Sequence, residues 1–103
     1  IISLLEKSNV DQLALGVAGA NLDPSYLKNC PSKTVIFGCV FNSAEVMEDP
    51  KEVAAQLLKA SEYIDPFRLQ AAPDCGLVMM NDADALKKLN ILVDAAKLAR
   101  QQI

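Results

Sequence analysis

The sequence predicts an α/β fold of parallel strands joined by crossover helices. Three observations point to it. Short apolar, β-branched runs alternate with stretches of helical period along the 103 residues. Asp23-Pro24 and Asp49-Pro50 both read as helix starts, an N-cap acceptor followed by proline at the first helical position. The strand-like runs are apolar on both faces, as parallel strands covered on both sides are. Strands alternating with helices at this spacing imply right-handed crossovers.

In order, residues 1–7 read as the last turns of a helix, broken at Ser8-Asn9. The chain opens on Ile1-Ile2 without methionine, as a processed product or a fragment would. Residues 10–17 form the first strand, and 18–21 its loop. A short helix of one or two turns follows Asp23-Pro24, over 25–30. Residues 34–40 (Thr-Val-Ile-Phe-Gly-Cys-Val) are the clearest strand. Gly38 inside it marks a bend or the close approach of another backbone.

Asp49 caps the next helix, with Glu52 at the capping-box position. Val53, Leu57, Ala60 and Ile64 recur at helical spacing until Asp65-Pro66 stops them. A third strand, 68–72, ends at Pro73, which cannot donate to a ladder. Asn81 to Asp84 offer caps for a last helix over about 85–101. Its stripe is Leu86, Leu89, Val93, Ala96 and Ala99, widened by Ile91, Leu92 and Leu98 so that it could touch two neighbours.

Composition narrows the function. Apolar residues are 51% and charged residues 22%, enough for a core and too apolar for disorder. The net charge is -3, with lysine and arginine scattered, which disfavours nucleic acid. No apolar run approaches a membrane span, and no signal peptide is visible. Three widely spaced cysteines argue against a disulfide framework and for a reducing cytoplasm. With no histidine, a self-contained zinc site is disfavoured. No glycine-rich phosphate loop or nucleophile elbow occurs.

The residues most worth testing lie in Pro73-Asp74-Cys75-Gly76. A loop after the carboxyl end of a strand is where α/β folds place chemistry, and Gly76 allows a sharp bend behind the thiol. Cys75 is a candidate reactive or ligating thiol; its alternative is inert packing. Asp74 is a candidate ligand neighbour or a cap of its own turn. Topology would bring Asn42, Ser43 and Glu45 to the same side. Met79-Met80 would line an apolar pocket or simply pack. Glu45 and Glu48 are expected to be solvated, Cys30 incidental in a turn at the opposite end, and Cys39 part of the core.

The string Ala72-Pro73-Asp74-Cys75-Gly76-Leu77 and the helix behind it resemble the end of the catalytic barrel of cobalamin-independent methionine synthases and their shorter relatives. Residues 10–15 resemble that family's sixth barrel strand, and 35–40 with Glu45, Glu48 and Glu52-Val53 its seventh strand and helix. The likeness covers nearly the whole chain in order. It implies one partial α/β domain over 1–103, equivalent to the last three βα units of a (β/α)₈ TIM barrel. It implies a zinc-dependent transfer of a methyl group from methyl-tetrahydrofolate to a thiol such as homocysteine, with Cys75 as a zinc ligand.

Three departures stand beside this. The family's histidine-x-cysteine ligand pair falls upstream of Ile1. Its glutamate ligand falls at Gly16. The proton-donating histidine of the long synthases falls near Ser43, as it is lacking in shorter relatives. The resemblance therefore implies inactivity of the 103 residues alone, with zinc, thiol and methyl-folate as partners of a larger assembly. The alternatives are a non-catalytic barrel module binding a small molecule or subunit, and a barrel enzyme of the uroporphyrinogen-decarboxylase type. Three parallel strands leave two bare edges, so self-association or a missing barrel segment is expected.

Overall fold

The computed structural model describes residues 1–18 and 23–103. Helix α1 (Ile2–Glu6) leads to β1 (Gln12–Gly16), a 3₁₀ helix (Pro24–Asn29) and β2 (Thr34–Val40). Helix α2 (Pro50–Ala60), a 3₁₀ turn (Pro66–Arg68), β3 (Leu69–Pro73) and α3 (Asp82–Arg100) follow. The three strands make one parallel sheet in the order β1-β2-β3. The expected alternation and parallel pairing are both present. Most of the expected first-strand loop, 19–21, lies outside the described residues.

Local chemistry explains the element starts. Asp23, Asp49 and Asp65 each precede a proline, and each carboxylate accepts from the backbone N–H two residues on, at 2.9, 2.9 and 3.0 Å. That bond holds the Asp23 carboxyl below its ordinary range. Asn81 caps α3, its Oδ1 accepting from Asp84 N at 2.8 Å. Acidic residues in the first turn of α3 and Lys97 and Arg100 in its last turn complement the helix dipole.

Strand β2 is the centre of the core. Val35, Phe37, Cys39 and Val40 are buried, against Val53 and Leu57 of α2 among others. Burying a ring such as Phe37 contributes roughly 1.5–3 kcal/mol. Burial also pushes the Cys39 thiol up to about 11, although the thiol donates weakly to Ala72 O at 3.8 Å. Cys39 is thus core, as expected. Cys30 lies at the opposite end of the sheet, as expected, and is wholly buried; burial raises its thiol as well.

Several boundaries differ from the sequence reading. Helix α2 stops at Ala60, short of Asp65, because Ser61 turns its hydroxyl onto Leu58 O and the chain tightens into a turn. Ile64 is nevertheless buried. Helix α3 starts at Asp82 because Asn81 is the cap. Its core stripe is also rotated. Lys88, Ala95 and Ala99 are the buried positions, with Ile91, Leu92 and Leu98 packed beside them. Leu86, Leu89 and Val93 are exposed. The helix carries two apolar faces, and only one has a partner among the described residues.

The second face belongs to an open flank. Among the described residues, the outer edges of β1 and β3 pair with no strand. Beside β3 a groove of about 580 Å³ is lined by Phe67, Leu69, Ala71, Leu92, Val93 and Ile103, with others. Phe67 is 98% exposed at its rim. Among the described residues no helix is long and apolar enough to cross a membrane.

Candidate functional site

Parallel register brings the carboxyl ends of the three strands together. Gly16 pairs with Gly38, and Gly38 with Ala72. A register irregularity follows between Gly38 and Val40, so that Val40 faces Pro73. Pro73 is the last strand residue, as expected, and the Asp74 backbone N–H donates to Val40 O at 2.7 Å. The Asp74 loop therefore folds back across the end of β2.

Two glycines make this possible. A Cβ on Gly38 would lie 2.9 Å from Asp74 Cα and 2.9 Å from Leu15 O, both backbone atoms. A Cβ on Gly16 would lie 2.8 Å from Asp74 Oδ1. The Asp74 carboxylate thus occupies the space above Gly16 and Gly38. The expected close approach of another backbone at Gly38 is observed. The bend behind the strand falls at Asp74 and Cys75, one residue before Gly76, where a Cβ would meet nothing within 4 Å. Gly76 is not required sterically.

Cys75 is a free, exposed thiol. It is the only exposed cysteine of the three. Asn42 and Ser43 stand half-buried in the loop after β2, on the same side of the sheet by topology. The Ser43 hydroxyl accepts from Glu45 N at 3.2 Å, a local turn bond. Glu45 is exposed, as expected. Met79 is 89% exposed, and Met80 is half-buried.

Glu48 overturns its expectation. It is not solvated: its side chain is 14% exposed and ion-paired with Lys88 Nζ at 2.6 Å. Lys88 is completely buried. Neither was legible as a buried pair, because a lysine and a glutamate 40 positions apart look like ordinary surface charges. The one available signal is spacing: Lys88 continues the face of Leu92, Ala95 and Ala99 by one turn.

This arrangement has named counterparts. The model of the cobalamin-independent synthase catalytic domain matches residues 1–98. The chain belongs to that family. The methionine synthase of Thermococcus kodakarensis is 37% identical over 95 residues, covering 91% of this chain and 28% of the relative. That of Sulfurisphaera tokodaii is 30% identical over 99 residues, covering 96% and 29%. The structure of a B12-independent methionine synthase from Shewanella sp. W3-18-1, in complex with selenomethionine, superposes with a TM-score of 0.92. It is 26% identical and covers 99% of this chain and 30% of that one. The chain spans under a third of the length of these cobalamin-independent synthase relatives. Its three strands and helices correspond to a part of a TIM barrel.

Within the cobalamin-independent synthase frame, zinc can be tested against the residues present. Cys75 suits it: an exposed thiol at a strand end is a soft donor. Gly16 does not, since it has no donor and Asp74 fills the space its side chain would enter. Among the described residues, no three His, Cys, Asp or Glu side chains stand close enough to hold a metal. Among the described residues, Cys75 is a donor that suits zinc, and no centre of three is assembled around it.

Proposed function

We propose that this chain is the C-terminal part of the catalytic barrel of a methyltransferase of methionine biosynthesis. The activity of the whole protein is the transfer of a methyl group from methyl-tetrahydrofolate to a thiol such as homocysteine. The observation that carries this reading is the exposed Cys75 thiol at the carboxyl end of β3, in a chain matched by the family model from end to near end. The selenomethionine bound in the similar Shewanella structure supports a methionine-type amino acid as ligand.

In this reading Cys75 is one ligand of a zinc ion whose other ligands lie outside the described residues. When bound, zinc keeps a coordinated thiol deprotonated at neutral pH. The chain's own part is to hold Cys75 out of the sheet. Asp74 and the two glycines set that position, and Pro73 ends the strand before it. The 103 residues form one partial α/β domain that does not catalyse alone. Its place is the cytoplasm, where three free thiols persist.

Zinc content of the whole protein and of its Cys75→Ala variant, by elemental analysis, tests the ligand. Stoichiometric zinc that is lost on substitution supports it. Zinc retained by the variant, or absent from both, makes the chain a structural piece of a barrel. That second reading is favoured by Gly16, over which the Asp74 carboxylate closes. Both readings leave the β3 edge and the outer face of α3 for the remaining barrel strands. In their absence the chain self-associates; a sharp monomer peak with a cooperative melt would count against this.

A further inference from the structure

The carboxyl end of the sheet also holds a buried ion pair that ties down a loop. Lys88, fully buried on α3, donates from Nζ to Val46 O and to Glu48 Oε1, the latter at 2.6 Å. The other oxygen, Glu48 Oε2, accepts from the Phe41 backbone N–H at 2.6 Å. One carboxylate therefore joins the two ends of the 41–48 loop. One ammonium joins that loop to the helix that follows the Cys75 loop.

The loop's other bonds are local: Glu45 N donates to the Ser43 hydroxyl at 3.2 Å and Val46 N to Ser43 O at 3.4 Å. Phe41 is half-buried, and Val46 and Met47 are exposed. Burying two charges costs several kcal/mol per ion, and a well-packed apolar pair of similar volume is often as stable. The pair is thus a poor device for stability and a good one for fixing a single arrangement. We propose that Glu48 and Lys88 are a positioning pair that holds the 41–48 loop, with Asn42 and Ser43, in one arrangement beside Asp74 and Cys75. This goes beyond the methyl-transfer reading and requires neither zinc nor substrate.

Hydrogen–deuterium exchange by mass spectrometry tests it, comparing peptides from 41–48 with peptides from β2. The protein, Lys88→Met, Glu48→Gln and the double variant are measured. Each single variant is expected to speed exchange in 41–48 by at least about tenfold, with β2 unchanged. The double variant, which leaves no buried charge unpaired, is expected to regain the melting temperature but keep the fast loop. The double variant also decides the matter if a single variant does not fold. Unchanged exchange in 41–48, or a rise shared equally by β2, would overturn the proposal.

Discussion

At the amino ends of the strands, long cations reach backbone carbonyls. Lys33 Nζ donates to Ser8 O at 2.8 Å, and Arg68 Nη1 to Lys33 O at 2.9 Å and Cys30 O at 3.4 Å. At the carboxyl ends the polarity is reversed. Carboxylates meet backbone N–H groups and glycines: Glu48 accepts from Phe41 N, and Asp74 lies over Gly16 and Gly38. The amino end buries its cysteine, Cys30, and the carboxyl end presents Cys75 to solvent. One end buries its cysteine under cation-to-carbonyl bonds, and the other exposes a thiol next to a carboxylate packed over two glycines. In α/β barrels, the amino face serves stability and the carboxyl face chemistry. This part of a barrel has a buried cysteine at its amino end and an exposed one at its carboxyl end.

The comparison can be broken most sharply at Gly38. Gly38→Ala places a methyl group against two backbone positions, neither of which is a flexible side chain. It is expected to cost about 3 kcal/mol, read as a lower urea midpoint at unchanged slope. Gly16→Ala meets a carboxylate that can swing aside and should cost about 1 kcal/mol. Equal costs would mean that the Asp74 backbone does not close over β2 as described.

The buried middle of the sheet sharpens the contrast through pH. The Cys39 thiol is raised from 9.0 to about 11 in the folded protein, chiefly by burial. Its contribution is fully present below pH 9, where both states carry the proton. Between pH 9 and about 11 the unfolded thiol ionises while the folded one does not, so stability falls as pH rises. The loss is about 2–3 kcal/mol across that window. Urea midpoints followed from pH 8 to 11 should decline, and Cys39→Val should flatten the decline. An equal slope in the variant would assign the effect elsewhere.

How much of this was legible follows from which signals are local. Strand β2 was read at its observed bounds because Thr34 to Val40 is a β-branched and aromatic run between turns. The Asp-Pro starts were readable because a cap bond spans two residues. Gly38 and Cys75 could be picked out because a glycine in a strand and a thiol after a strand are odd in themselves. The rotation of α3 was not readable. Its residues Leu86, Leu89 and Val93 form a good apolar stripe but are exposed, so periodicity did not single out the packed face, which runs through Lys88, Leu92, Ala95 and Ala99. The Glu48–Lys88 pair was hidden for the same reason: its meaning lies in a contact across 40 residues. Gly16 over Asp74 likewise needed the parallel register to bring the two together.

At the amino end the expected effect is smaller than that of Gly38→Ala. Arg68→Met removes the charged donor from two backbone carbonyls and should cost about 2 kcal/mol. It should leave the carboxyl end unchanged, which a thiol reagent can report through the reaction rate of Cys75. A changed rate would show the two ends to be coupled through β3 rather than separately built.

Cys75→Ala has the smallest expected effect on stability and tests the comparison from the open end. An exposed side chain with no packing role changes stability by less than about 0.5 kcal/mol when truncated. The same substitution should abolish the rapid thiol reaction of the native protein, since Cys30 and Cys39 are buried and their thiols are raised. The two readouts separate the roles. A loss of stability well above 1 kcal/mol would make Cys75 a packing residue and remove the ground for placing chemistry at this end. A rapid reaction that survives in Cys75→Ala would mean that the amino end, with Cys30, opens more readily than its carbonyl-bound cations imply.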